Sequence, residues 1–253
     1  MPGSDVTFAA GGYRYLPAVM QYSAGVAALP GFAIERVQFR RALPLDEGFA
    51  AAAAFLETRE REPTAFCACE LRSPAPFSEH GFAAFNRQYV TTLERWGIYR
   101  EGVNPVARTN VCPVIDPPPM PSMHAFSYTV RADPRARGTF VVAGSGETRE
   151  GGASYRESIV AFGDVSIDGL RRKVRHVVAE MQRRLSGLGF SSADATTVNA
   201  YTAHDVGSLL RTEIFDCGFA RDGLTLLHSL PPVVDLEFEM DLRSTAAEFV
   251  VGD

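Results

Sequence analysis

The residue whose chemistry stands out most is Arg108, the single charged residue in the run from Val106 to Val114. The neighbours of Arg108 are largely apolar, which is typical of a buried β-strand. An unpaired guanidinium is too costly to bury, so Arg108 needs an anionic partner. That partner is either a carboxylate of the protein or a carboxylate of a substrate, which a guanidinium can hold through two parallel hydrogen bonds.

Asn110 lies two residues beyond Arg108 and therefore on the same face of the predicted strand. Its amide could orient a carbonyl group or a water molecule, or it could be a satisfied amide at a strand edge. Five prolines between Pro113 and Pro121 exclude a helix in the next stretch. They predict an extended crossing to a second strand, Met123 to Val130.

Length and composition limit the classes of protein to which the chain can belong. Its 253 residues suit one large domain or two smaller ones, and its 46% hydrophobic and 22% charged content is typical of a globular protein. A net charge of −5 argues against nucleic acid as a partner. There is no apolar run of about 18 residues and no secretory signal pattern, so we expect no membrane partner and a cytoplasmic location.

The cysteines and histidines do not form a metal-binding pattern. Cys67 and Cys69 lie on a strand-like run and are typical of small buried residues in a reducing compartment. The five histidines show neither HxH nor HExxH spacing. We therefore expect no metal site.

The predicted elements occur in the same order in both halves of the chain, β-β-α-β-α-β. In the first half, helices are predicted from Asp46 to Glu62 and from Ser78 to Trp96, because apolar residues keep helical spacing there. In the second half, a long helix is predicted from Asp168 to Ser186 and a short one begins at Asp205. A final strand from Val234 to Leu242 alternates strongly, and the residues that follow it are expected to form a tail.

The second half is similar to the Rid family, the YjgF-type reactive-intermediate deaminases. The similarity lies in FVVAG (Phe140 to Gly144), in the helix LRRKVRHVVAEMQRRLSGLGF, in the strand TTVNAYTA and in the ending HSLPPVVDLEFEMDL. The first half resembles a more remote copy, and its best-matching segment is PVARTNV, Pro105 to Val111.

This resemblance implies an α+β fold of two tandem chorismate-mutase-like units, residues 1–122 and 123–253. Such units pack as trimers or pseudo-trimers with sites in the clefts between them. A tandem pair of units is also the arrangement of chorismatases. Their arginine- and tyrosine-rich signature is not found in this sequence.

The resemblance also implies site residues. Arg108 matches the family's arginine that holds a substrate carboxylate, and Glu237 matches the glutamate on the last strand. Neither half carries both groups in register, since Arg221 of the second half is displaced from the matching position. We therefore expect each site to join Arg108 of one unit to Glu237 of another. Alternatively, Arg108 forms a structural ion pair.

The alternative for Glu237 is a solvated side chain. Glu237 shares one face of its predicted strand with Glu239 and Asp241, and three acids on one face favour exposure unless a neighbouring unit covers that face.

Three further residues are candidates through the resemblance. His124 lies near the position of the family's acid in the first unit, where it could transfer a proton or be a hydrogen-bonded structural histidine. Tyr128 and Ser127 match a tyrosine–serine pair of the family. They could line the cleft, although Tyr128 could equally be a core residue.

The function implied is that of a cytoplasmic, cofactor-free deaminase that hydrolyses a small carboxylate-bearing enamine or imine and releases ammonia. The expected partner is this small carboxylate, and the expected assembly is a homo-oligomer, a trimer. Two alternatives stay open: a chorismatase-like hydrolase or lyase, and a non-catalytic protein that binds small carboxylates.

Overall fold

The chain is described by a computed structural model that covers residues 5–149, 154–219, 221 and 223–252. The strands found there are β1 (Val6–Phe8), β2 (Tyr13–Leu16), β3 (Gly25–Ala28), β4 (Phe32–Pro44), β5 (Phe66–Arg72), β6 (Ala107–Pro113), β7 (Ser122–Arg131), β8 (Phe140–Gly146), β9 (Thr197–Thr202), β10 (Thr225–Leu230), β11 (Glu239–Ser244) and β12 (Ala247–Val251). The α-helices are α1 (Leu45–Thr58), α2 (Glu79–Arg95), α3 (Tyr155–Ser158) and α4 (Ile167–Gly187).

The two longest helices begin where the sequence predicts. The Ser78 hydroxyl accepts a hydrogen bond from the Gly81 amide at 3.1 Å and caps α2, and Ser166 caps α4 in the same way. By contrast, α1 begins at Leu45, one residue before its predicted start, and it ends at Thr58, four residues before its predicted end. No helix in the described parts of the chain has the length and apolar character needed to cross a membrane.

The predicted α+β class and the tandem duplication are confirmed by the strand topology. In the first unit the strand order is β6-β5-β7-β4, and in the second it is β10-β9-β11-β8. Each unit has one parallel pair, β5 with β6 and β9 with β10, and the last strand of each unit lies antiparallel between two earlier ones. The two units therefore share one connectivity.

The sheet edges of the two units are exchanged. Strand β3, which precedes the first unit, pairs antiparallel with β8 of the second unit. Strand β12, which follows the second unit, pairs parallel with β4 of the first. The prediction of a C-terminal tail is therefore wrong for Ala247–Val251. Phe249 packs against the hydrophobic core of the first unit, and Glu248 accepts a hydrogen bond from Arg36 at 3.2 Å.

Strand β7 belongs to the first unit by its hydrogen bonds. It pairs with β4 on one side and with β5 on the other. The expected division between residues 122 and 123 would separate this strand from both partners. The pairing instead favours a unit boundary after Arg131.

The described residues of the second unit form no regular counterpart of α2. The short helix expected from Asp205 is replaced by a 3-10 turn, Gly207–Leu209, and a π-helical turn, Leu210–Phe215. The aromatic helix face that α2 supplies to the first unit is therefore not duplicated.

The units meet through their helix-free faces. Strands β6 and β10 pair antiparallel, and the Gly144 amide of β8 donates to the Thr109 hydroxyl of β6 at 3.1 Å. This contact covers the acidic face of β11, so Glu239 and Asp241 are each only 4% exposed. A neighbouring unit therefore covers this acidic face, as its burial requires, and that unit is the first half of the same chain.

A buried ion pair fixes the turn that leads into β11. Lys173 of α4 is the only lysine in the sequence, and its ammonium lies 3.0 Å from Glu147, with both side chains fully buried. The Glu147 carboxylate also accepts hydrogen bonds from the backbone amides of Glu237 and Phe238, at 2.7 and 3.1 Å. The pair thus ties α4 and the end of β8 to the start of β11.

We predict that Lys173→Met lowers the free energy of unfolding by about 3–5 kcal/mol, because it leaves the Glu147 charge buried without a counter-ion. Urea unfolding measures the effect. Arg172→Met is the matched control, since Arg172 is exposed and its surface ion pair with Asp164 contributes little to stability. Equal losses in the two variants would contradict the anchoring role.

Candidate active site

A cavity of about 390 Å³ lies between the two units. The first unit contributes side chains from α2 and β6, and the second contributes residues from β8, from α3 and from β11. The residues that carry the argument below are Asn86, Arg108, Asn110, Gly144, Tyr155 and Glu239. A cavity of this size suits a small organic ligand.

Arg108 lines this cavity and is only 3% exposed. Its Nη1 is buried without a hydrogen-bond partner, and no carboxylate in the described parts of the chain lies within ion-pairing distance of it. Aromatic rings surround the guanidinium instead: its central carbon lies 4.7 Å from the ring centre of Tyr89 and 5.1 Å from that of Tyr22. Rings attract the cation but provide no counter-charge, so an anion in the cavity would complete the site.

Two more aromatic rings of α2, the helix that carries Tyr89, complete this enclosure of the guanidinium. The centres of the Phe82 and Phe85 rings lie 5.5 and 5.7 Å from the guanidinium carbon. Phe82, Phe85 and Tyr89 follow at three- and four-residue steps, which places them on one face of α2. The apolar stripe of α2 therefore packs against the guanidinium as well as against the core.

Two amides in the cavity wall have atoms without partners. Asn110 accepts a hydrogen bond from the Ser73 hydroxyl at 2.9 Å, while its Nδ2 is buried and unpaired in the described structure. Both Nδ2 and Oδ1 of Asn86 are likewise buried and unpaired there. An unsatisfied buried polar atom costs about 1–3 kcal/mol, so these amides are arranged for a polar ligand.

Glu239 supplies a carboxyl group from the opposite wall. Its carboxyl lies against the backbone of Gly144, where an added Cβ would come within 2.1 Å of Oε1. Burial raises the pKa of Glu239 well above its ordinary value, and the charge of Asp241 raises it further, while Arg184 and Arg108 act in the opposite direction. Glu239 therefore keeps its proton to higher pH than an exposed glutamate does, and Gly144 provides the space it occupies.

Tyr155 adds a hydroxyl to the second-unit side of the cavity. Burial raises its pKa, as do the neighbouring Tyr22 and Glu147. The hydroxyl thus remains a hydrogen-bond donor. In the parts of the chain that the structure describes, no group of three or more His, Cys, Asp or Glu residues is placed to hold a metal ion.

Of the site residues predicted from the sequence, the structure brings Arg108 and Asn110 together in the cavity. Glu237 lies outside it: its carboxylate is 2.6 Å from Nε2 of His204, and both side chains are partly exposed. Strand β11 begins only at Glu239, because the preceding turn holds residue 237 away from the covered face. The acid that faces Arg108 is therefore Glu239, two positions later.

His124 also lies away from the cavity. It is half-buried beside Arg72 and the proline-rich turn. Burial lowers its pKa to about 4, and the positive charge of Arg72 contributes. The imidazole is thus neutral near pH 7 and does not reach the groups that line the cavity.

Tyr128 and Ser127 lie on β7, outside the cavity. The Tyr128 hydroxyl donates to Glu35 at 2.5 Å and accepts a hydrogen bond from Arg59 at 3.0 Å. Ser127 is buried in the narrow space between the units, next to Thr109 and Asp241. Neither side chain lines the cavity, because the strand turns them toward the core and toward the unit interface.

Sequence reasoning missed Asn86 and Glu239, and each had a weak signal. Asn86 is a polar residue within the apolar stripe of α2, between Phe85 and Tyr89. Glu239 is the middle acid of the predicted last strand, between Glu237 and Asp241, and the pattern alone did not tell which of them the other unit would cover.

Comparisons with known proteins place this geometry in context. The sequence model of the family described as "2-aminomuconate deaminase CnbZ" matches residues 5–249. A protein of Comamonas testosteroni named "2-amino-5-chloromuconate deaminase" is 53% identical over 247 residues, which cover 97% of this chain and 98% of that protein.

Among solved structures, a chorismatase crystal structure is similar with a TM-score of 0.52 and 12% identity, and the match covers 96% of this chain and 80% of that one. This similarity confirms the predicted two-unit fold. The YjgF protein of E. coli matches 43% of this chain and 80% of its own length, with 7% identity and a TM-score of 0.32.

The buried acid gives a testable pH dependence. A carboxyl whose pKa is higher in the folded than in the unfolded chain binds its proton more tightly when folded, so it contributes less stability as the pH rises above about 4.3, up to the folded pKa. We predict that this loss, at most about 1.4 kcal/mol per pH unit, is absent in Glu239→Gln.

The measurement is the free energy of unfolding in urea between pH 5.5 and 8.5. The stability of Glu239→Gln relative to the wild type should rise with pH, because glutamine cannot ionise. A difference between the two proteins that is independent of pH would show that Glu239 is ionised throughout the range and would contradict the assignment.

Proposed function

Because the chain belongs to the CnbZ family of 2-aminomuconate deaminases, we propose that it hydrolyses the amino group of 2-aminomuconate or a close analogue and releases ammonia. Such a substrate is a six-carbon dicarboxylic acid whose 2-amino group is an enamine, which matches the class predicted from the sequence. The observation that carries the proposal is the pairing, across one cavity, of an uncompensated buried guanidinium with a buried acid whose pKa is raised by burial.

Substrate binding follows from the charges. The carboxylate next to the amino group lies against Arg108, where the fork of the guanidinium gives two parallel hydrogen bonds. The free Nδ2 of Asn110, on the same strand face, donates a further hydrogen bond to the carboxylate or to the attacking water. Because little water reaches this cation, its attraction for the carboxylate is stronger than at the surface.

Glu239 moves the protons. It first protonates a carbon of the enamine, which produces an iminium group at carbon 2 and leaves Glu239 as a carboxylate that Arg108 and Arg184 stabilise. The carboxylate then takes a proton from the water that attacks carbon 2. The resulting carboxyl protonates the amine, and the carboxylate finally removes the hydroxyl proton as ammonia leaves. One water is consumed, and a 2-oxo acid, ammonia and the original acid form of Glu239 result.

The asymmetry of the duplication explains why the cavity draws different groups from the two units. The first unit provides Arg108 and the aromatic face of α2, and the second provides Gly144 and Glu239. The cavity is therefore built within one chain, and the expected trimer would add nothing that these residues require. The trimer and the cytoplasmic location stay predictions, the latter supported by four free cysteines, of which three are buried.

The test is the release of ammonia from freshly prepared 2-aminomuconate by purified protein. We predict that Glu239→Gln lowers kcat by about 10²–10⁴-fold, the usual loss for a general acid–base group, with little change in KM. Glu237→Gln is the matched control and should keep most of the activity, because Glu237 bonds to His204 outside the cavity.

Chorismate, an enol ether with two carboxylates, is the discriminating substrate for the alternative activity and should yield no pyruvate. Ammonia release that is lost in Glu237→Gln but retained in Glu239→Gln would overturn the assignment of the acid. No ammonia release from the wild-type protein would overturn the proposed function.

A further inference from the structure

Asn86 is the polar group of the cavity that the reaction scheme leaves unused. It is 1% exposed, yet neither its amide nitrogen nor its carbonyl oxygen has a partner in the described structure. Retaining both atoms unpaired in a folded protein is costly, and the arrangement is expected only where a ligand supplies the missing partners. Because Asn86 lines the cavity, that ligand is the one the cavity holds.

The position of Asn86 relative to Arg108 is fixed by the helix. Asn86 directly follows Phe85 and precedes Tyr89 by three residues, and both of these rings lie within 6 Å of the guanidinium carbon, at 5.7 and 4.7 Å. The Asn86 amide therefore lies beside the place where Arg108 receives a carboxylate. A substituent on the carbon next to that carboxylate would then be within reach of Asn86.

The two free atoms of Asn86 specify the chemistry of that neighbouring group. A primary amide presents a donor and an acceptor side by side. A 2-amino acid presents the complementary pair, an amine N–H beside a carboxylate oxygen. A 2-oxo acid presents two acceptors at the same positions, so one of them would face the Asn86 oxygen without a hydrogen between them.

The remote carboxylate of a dicarboxylic acid is a poorer partner for this amide. It offers only acceptors, so it could satisfy Nδ2 but would leave Oδ1 buried next to negative charge. Of the groups on such a substrate, only the 2-amino group together with the adjacent carboxylate satisfies both atoms of Asn86.

We propose that Asn86 is a specificity-determining residue that distinguishes the 2-amino substrate from the 2-oxo product. Its Oδ1 accepts a hydrogen bond from the substrate's amino group, and its Nδ2 donates to the carboxylate that Arg108 holds. This role rests on the proposed function, because that function supplies the ligand. After ammonia leaves, Oδ1 has no donor and faces the new oxo group, which weakens product binding and favours release.

The same contact excludes competing metabolites of similar shape. Sites built to hydrogen-bond an N–H or O–H group reject analogues that lack it, because the buried acceptor is then left unpaired. Without Asn86, a guanidinium would hold 2-oxo dicarboxylic acids as well as 2-amino ones. The amide therefore gives the site a preference that Arg108 cannot provide.

The experiment compares binding of 2-aminoadipate and 2-oxoadipate, a saturated and unreactive pair, by titration calorimetry. We expect the wild-type protein to prefer the amino compound by about tenfold or more, the effect of about 1.4 kcal/mol. In Asn86→Leu the preference should fall to about one. Gln88→Leu is the matched control, since Gln88 is an exposed amide on the same helix, and it should keep the wild-type preference.

A second variant covers the case in which Asn86→Leu does not fold. Asn86→Asp keeps the shape and an acceptor but loses the donor and adds negative charge. It should bind both ligands more weakly while keeping the preference for the amino compound. Loss of the preference in this variant, an unchanged preference in Asn86→Leu, or no preference in the wild type would each overturn the proposal.

These outcomes are separate from the failure of the proposed function. A wild-type protein that prefers the amino ligand through Asn86 but releases no ammonia from 2-aminomuconate would overturn the proposed function alone. A protein that releases ammonia normally but whose ligand preference is unaffected in Asn86→Leu would overturn the role of Asn86 alone.

Discussion

The structure is organised around a guanidinium that is buried without a counter-ion of its own. Arg108 extends from β6, the first-unit strand that pairs with β10 of the second unit, into a ring of aromatic side chains, and these rings stabilise the cation while they exclude water. Aromatic contact alone does not repay the desolvation of a charge. A carboxylate ligand supplies the negative charge that the guanidinium lacks. Because the guanidinium is already desolvated in the free protein, it binds that carboxylate strongly.

The remainder of the site is a consequence of the way in which two copies of one unit have diverged. The first copy keeps a regular second helix, whose apolar face encloses the guanidinium. The second copy has replaced that helix by 3-10 and π-helical turns, and it supplies the acid instead. Pairing of β6 with β10 links the two units into one sheet, and the exchanged strands β3 and β12 extend its outer sides. The two chemical groups are therefore held across an interface that belongs to the core of the molecule.

The sequence predicted the parts of this account that depend on local pattern. Helical spacing and the Ser78 cap predicted α2, and the isolated charge in an apolar run indicated Arg108 and, two positions later, Asn110. The sequence could not indicate which residues the other unit would cover. The alternation of the sequence makes Glu237 and Glu239 equivalent, and they are distinguished by the start of β11 at Glu239 and by the packing of the first unit over that face. Asn86 was overlooked because a helical stripe with aromatic neighbours predicts core, and the exchanged edge strands were overlooked because long-range strand pairing leaves no local signal.

The central claim is that Arg108 is the counter-ion of the substrate carboxylate in the junction cavity. A crystal structure of the protein with bound 2-oxoadipate tests this claim most directly. The account predicts one carboxylate of the ligand within hydrogen-bonding distance of Nη1 of Arg108, about 2.7–2.9 Å for a charged pair, with the adjacent carbon facing Glu239. A ligand held instead at the surface arginines Arg59, Arg61 and Arg131, with none in the cavity, would contradict it.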